Sequence, residues 1–104
     1  MSVEIDYTGD RAHLAVCGEL TIYTVAEIKA ALAEAMAGAD ELEVDLFGVT
    51  EVDSAGIQLM LIAKRNAGKR VVFTKHPAAV RRLIELASLG GALGDPMVID
   101  AATP

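Results

Sequence analysis

Ser54 is the residue of this 104-residue chain best placed to do chemistry. It stands in Asp53-Ser54-Ala55-Gly56, after the apolar stretch Leu42 to Phe47 and a shorter segment, Val49 to Val52, that leads the chain away. The residues that follow are apolar on nearly every side, so a helix opens here. A helix start gathers backbone N–H groups without partners and the positive end of the helix dipole. A hydroxyl there suits two roles. It can cap the helix, for which Asp53 is equally suited, or it can carry a phosphate that the helix terminus stabilises. Gly56 in the first turn costs about 0.5–1 kcal/mol relative to Ala. Its presence implies close backbone approach, to a sheet or to something bound at the helix start.

Other chemistries find less support. Phosphorylation of Asp53, as in a receiver, needs an acidic pair after the first strand and a later lysine at a strand end. Glu19 stands alone there, and Lys75 is only a loose counterpart. A hydrolase would take Ser54 as nucleophile with His13 or His76, but there is no Gly-x-Ser-x-Gly elbow. His13 alternates within a strand, and His76 precedes Pro77 as a cap. The two histidines are too far apart for metal spacing. The single Cys17 excludes an internal disulfide and reads as a small buried strand residue. No Gly-rich phosphate loop is present. None of these patterns points to catalysis, a cofactor or a metal. Lys64, Arg65, Lys69 and Arg70 cluster at a helix end, where they complement the dipole or meet an acidic partner or headgroup.

The elements that position Ser54 are legible from periodicity. Val3, Ile5 and Tyr7 alternate with Glu4 and Asp6, giving a half-buried strand. Gly9-Asp10 is a tight turn, and Ala12 to Cys17 returns as the second strand of a hairpin, ended by Gly18. Thr24-Val25-Ala26-Glu27 has capping-box spacing. Val25, Ile28, Leu32 and Met36 then recur at helical intervals until Gly38. The next strand runs from Leu42 to Phe47, its apolar positions being Leu42, Val44, Leu46 and Phe47. A helix spans Ser54 to Asn66, closed by Ala67-Gly68, and Val71 to Phe73 is a short strand. Pro77 fits a first helical turn. Val80, Leu83, Ile84 and Ala87 form an apolar stripe, with Arg81, Arg82, Glu85 and Ser88 opposite, up to Gly90-Gly91. Met97 to Ile99 fits a last strand, and Ala101 to Pro104 a frayed tail. The order β-β-α-β-α-β-α-β implies one α/β domain, residues 1–104. Its sheet is small and mixed, mainly parallel, with four to five strands, an opening hairpin and right-handed crossovers.

The helix after Ser54 has two faces of interest. Gly56, Leu59, Met60 and Ala63 share one, small enough to lie close against a sheet. Ser54, Gln58, Leu61 and Arg65 share another, bordered by Ile62. The second face is either a docking surface that begins at Ser54 or is covered by a neighbouring helix or the C-terminal segment.

The bulk numbers narrow the partners. Hydrophobic residues make up 53% of the chain, enough for a core without staples. A net charge of −6 argues against nucleic acid and anionic membrane surfaces, which call for a basic face. No apolar run approaches the ~18–20 residues that span a bilayer, and Met-Ser-Val-Glu-Ile lacks signal-peptide character. The expected location is cytoplasmic.

The pattern Asp45-Leu46-x-Gly48-Val49-x-x-x-Asp53-Ser54-x-Gly56-Ile57 resembles the STAS domain of sulphate transporters and anti-sigma-factor antagonists. Gly18-Glu19-Leu20 and Val80 to Leu89 also match that family, so the resemblance covers nearly the whole chain. It implies a small curved sheet with helices on one face, and binding instead of catalysis. In stand-alone members a partner kinase of the anti-sigma type phosphorylates the motif serine, and a phosphatase resets it. Carried across, the phosphoacceptor is Ser54, with Asp53 beside it. Taken with the helix face described above, the expected partner-binding residues are Asp53, Ser54, Gly56, Gln58, Leu61, Ile62, Arg65 and Tyr23. Two departures stand out. Thr21, Ile22 and Tyr23 occupy the kinase-contacting loop where many antagonists have a polar residue, and Ala55 replaces a second motif serine. Relatives also serve as subunits of lipid-transport ABC complexes or as chemotaxis-linked proteins.

Overall fold

A computed structural model describes residues 1–65 and 70–86 of the chain. Four strands and three helices follow in the order β1 (Ser2–Thr8), β2 (Arg11–Leu20), α1 (Val25–Gly38), β3 (Glu41–Val52), α2 (Ser54–Arg65), β4 (Arg70–Thr74) and α3 (Ala78–Leu86). The strands form one sheet in the order β1-β2-β3-β4. β1 and β2 are antiparallel, with Ile5 opposite Leu14, while β2–β3 and β3–β4 are parallel. The mixed α/β sheet is thus parallel in two of its three pairings. Gly9 takes φ +60° in the hairpin turn, a conformation open to glycine at little cost. The fifth strand expected at Met97 to Ile99, and the helix ends expected at Asn66 to Gly68 and Ala87 to Gly91, lie outside the described residues.

Alternation sorts each strand into two faces. Leu14 and Val16 of β2, Val44 and Leu46 of β3, and Phe73 of β4 are all at most 2% exposed, under the helices. Ile28 of α1, Met60 of α2, and Val80 and Ile84 of α3 close over them. Burying each large aliphatic is worth about 1.5–3 kcal/mol. The opposite sheet face, with His13, Glu43 and Thr74, carries no helix among the described residues.

Five expectations about the strands and α3 need correction. β3 does not stop at Phe47 but continues as one strand of 12 residues to Val52. Its register against β2 shifts between Ala15 and Cys17 and again between Gly18 and Glu19, so β2 also passes through Gly18 to Leu20. Each shift inserts an extra residue into β3, which bends the strand and resets its alternation. Leu46 and Val49, three apart, therefore both face the core. Phe47 falls on the open face at 78% exposure, not in the core. Cys17, expected buried, is exposed on that same face. Arg81, assigned to the outer side of its helix, is buried beside Val80.

Candidate functional site

β3 delivers the chain to the sheet's end, and Asp53 turns it into α2. The Asp53 N–H donates to the Leu20 carbonyl at 3.3 Å, tying the turn to the end of β2. The Asp53 carbonyl accepts the first helical bond, from the Ile57 N–H, at 3.2 Å. Its carboxylate is used at both oxygens. Oδ1 accepts from the Gly56 N–H at 3.1 Å, and Oδ2 accepts from the Ile22 N–H at 3.0 Å in the β2–α1 loop. The Ile22 N–H does most to hold this carboxyl below its ordinary value of 3.8. A small opposing effect of burial comes next, and the N–H groups of Gly56 and Ala55 add to the lowering.

The choice between two caps is thereby decided. Asp53 is the N-cap, and Ser54 is the first residue of the helix, not its cap. Ser54 is exposed, and among the described residues its hydroxyl makes no hydrogen bond. Gly56 explains itself on the sheet side. A Cβ there would lie 2.2 Å from the Leu20 carbonyl oxygen and 2.8 Å from Leu20 Cγ. Only glycine lets the first turn of α2 come so close to β2.

The other cap expectations fail for a related reason. Thr24 precedes α1 but makes no side-chain cap bond. Its buried hydroxyl turns backwards, donating to the Glu19 carbonyl at 2.9 Å and accepting from the Thr21 N–H at 3.1 Å. It closes the loop instead of the helix. His76 is buried and is not the cap of α3; the Pro77 carbonyl accepts the first bond, from the Arg81 N–H at 3.0 Å.

A groove of about 510 Å³ runs between α1 and α2, with Ser54 on its lining. Val25, Ala26 and Lys29 come from α1, and Ser54, Ala55, Gln58, Leu59 and Ile62 from α2. Ile62 is 51% exposed there. On the loop fastened by Asp53, Ile22 is 62% and Tyr23 87% exposed. The face expected from helical projection therefore divides. Ser54, Gln58 and Ile62 line the groove. Leu61 is half-buried against the core, and Arg65 is exposed in the last turn, outside the lining. Asp53 and Gly56 shape the helix start from behind. Sequence reasoning missed Val25 and Lys29, since nothing in the linear pattern shows that α1 lies beside α2.

This arrangement combines a mixed sheet, helices on one face, and an exposed serine at the start of the helix after the third strand. Residues 3–99 match the family described as Mlab, STAS domain. The chain belongs to the STAS family. Among solved structures it is similar to an anti-sigma factor antagonist from Mycobacterium paratuberculosis, with a TM-score of 0.77 at 19% identity, covering 97% of this chain and 87% of that one. It is also similar to the anti-sigma factor antagonist SpoIIAA in its unphosphorylated form, with a TM-score of 0.68 at 19% identity over 86% of this chain and 84% of that one. The phosphorylated form of the Bacillus cell fate determinant SpoIIAA gives 0.66 at 19% identity, over 86% of each chain. No curated protein matches the sequence significantly. At these identities the structural likenesses establish the fold. No helix among the described residues is long and apolar enough to cross a membrane.

Proposed function

We propose that this STAS domain is a regulatory binding module of the anti-sigma-factor-antagonist kind. Its partner is a serine kinase that doubles as an anti-sigma factor, and a phosphatase reverses the modification. The α1–α2 groove and the Ile22–Tyr23 loop form the docking surface, and Ser54 is the phosphoacceptor. The reading rests on one observation: the Ser54 hydroxyl is exposed, and without a hydrogen bond among the described residues, on the lining of an apolar groove where Asp53 caps the helix. A phosphate there adds about −1.5 to −2 charges. The helix N-terminus tolerates it locally. A partner seated on Ile62 and Val25 does not, unless it supplies cations, and among the described residues Lys29 is the only cation on the groove lining. The domain stays folded while the complex separates.

The test is to incubate the purified chain with ATP and extract of its source cells, then map phosphate by mass spectrometry. Phosphate is expected at Ser54 and is lost in Ser54→Ala. Ser54→Asp is expected to weaken capture of the modifying kinase while leaving the melting temperature within about 2 °C, as for a surface substitution. Binding as tight as wild type would sink the switch.

A second reading has its own support, since the family that matches is described as Mlab, STAS domain. In it, the groove is a constitutive contact of a non-catalytic subunit in a lipid-transport ABC complex. That role needs Val25, Gln58 and Ile62 but no phosphate. Absence of Ser54 phosphate under every condition, with an ATPase captured through Ile62, selects it.

A further inference from the structure

The open face of the sheet carries a cluster unrelated to Ser54. His13 of β2 is the register partner of Glu43 on β3, and Asp45 lies two residues further along the same strand. A strand repeat of two puts all three side chains on one face. One ligating atom from each, the His13 imidazole nitrogen and a carboxylate oxygen of Glu43 and of Asp45, lies within 4.8 Å of the others. His13 Nε2 is 3.1 Å from Asp45 Oδ2 and 3.8 Å from Glu43 Oε2. A tetrahedral zinc ion with ligands at about 2.0–2.1 Å holds them roughly 3.3 Å apart. The two separations from His13 thus lie within about half an ångström of such an edge, and the third, between the carboxylates, is no longer than 4.8 Å.

The carboxylates are oriented from behind. The Phe47 N–H donates to Asp45 Oδ1 at 2.9 Å, which leaves Oδ2 facing His13. The Thr74 hydroxyl donates to Glu43 Oε2 at 2.8 Å. Fastened outer partners of this kind are what hold metal ligands in place. A cation is already drawn to the cluster: Lys75 Nζ lies 3.1 Å from Asp45 Oδ2. Lys75 takes φ +55°, the one non-glycine with positive φ among the described residues. Its side chain is 57% exposed, so it can swing into water without opening the core.

We propose that His13, Glu43 and Asp45 bind one divalent transition-metal ion of the zinc class, which displaces the Lys75 ammonium from Asp45. An imidazole with two carboxylates favours such ions over magnesium or calcium, which prefer all-oxygen shells. The fourth position faces the open sheet surface, within reach of water or a partner's side chain.

The experiment is isothermal titration of zinc sulfate into the full, tag-free chain, checked by thermal denaturation with and without EDTA. One equivalent is expected to bind and to raise the melting temperature, and EDTA reverses the rise. His13→Gln is expected to weaken binding at least tenfold. Lys75→Met, which removes the competing ammonium, is expected to tighten it severalfold. His13 and Lys75 reach the surface, so both variants keep the fold, and circular dichroism verifies this. Absence of binding to the wild-type chain overturns the proposal. So does binding that His13→Gln leaves unchanged, or that Lys75→Met weakens.

Discussion

Gly56→Ala sets two opposing effects against each other, and the geometry decides the sign. Alanine inside an exposed helix turn stabilises by about 0.5–1 kcal/mol relative to glycine. Here the added Cβ would sit 2.2 Å from the Leu20 carbonyl oxygen and 3.1 Å from its carbonyl carbon. These are backbone atoms of a strand paired with β3, so they cannot rotate away as a side chain would. The first turn of α2 must lift off the sheet. Overpacking of this kind costs about 1–3 kcal/mol. Lifting also strains the bond from the Asp53 N–H to that same carbonyl, worth about 1 kcal/mol. The net expectation is a loss of about 1–3 kcal/mol. For a domain of this size that corresponds to a drop in Tm of roughly 5–20 °C. Urea denaturation followed by circular dichroism reads it as a lower midpoint at unchanged slope. A variant as stable as wild type, or more stable, would refute the reasoning, since helix propensity alone would then have prevailed.

Asp53→Ala removes the cap of α2 and the tie to the Ile22 loop together. A destabilisation of about 0.5–2 kcal/mol is expected, with faster hydrogen exchange at the Ile22 and Gly56 amides; unchanged exchange at Ile22 would break the proposed coupling. Stability is expected to fall in acid. Burial pushes the Asp45 carboxyl up, but the Phe47 N–H, the Lys75 ammonium and His13 outweigh it, and Asp53 is lowered too. Both carboxyls bind protons less readily folded than unfolded, so their stabilisation is complete above the ordinary value of 3.8 and is lost as pH falls through their folded values. Asp45→Asn should flatten the acid limb of a plot of melting temperature against pH. Adjacent residues of β3 should respond oppositely: Leu46→Ala costs about 2–5 kcal/mol, while Phe47→Ser stays within about 0.5 kcal/mol, both by thermal denaturation.

Much of the fold could be read from local pattern because its elements are locally consistent. The hairpin alternates with a period of two around Gly9, and the α1 stripe of Ile28 and Leu32 recurs at helical spacing up to Gly38. The β3 bulges escaped that reading, since an inserted residue shows only as a change of phase between Leu46 and Val49. Phe47 obeys the period-two alternation from Leu46, and its apolar side chain alone made it read as inward. Cap assignments failed where several polar side chains compete for one helix end. Asp53 prevailed over Ser54, and Thr24 turned to its own loop, because each outcome depends on which backbone groups tertiary packing leaves open. The His13, Glu43 and Asp45 cluster gives no local signal, since its members lie up to 32 residues apart and meet only through parallel pairing.

The sequence by itself determined the α/β order, the alternation of the opening strand, the STAS-like motif and the position of Ser54 at a helix start. These follow from side-chain periodicity and backbone preference, which act over a few residues. Only the tertiary structure decided what the serine is free to do. Leu20 had to meet Gly56, and Ile22 had to reach Asp53, before the cap passed to the aspartate and the Ser54 hydroxyl was left open. α1 had to lie beside α2 before Val25 and Ile62 could share a groove with it. Such contacts join residues more than thirty positions apart, and only packing brings them together.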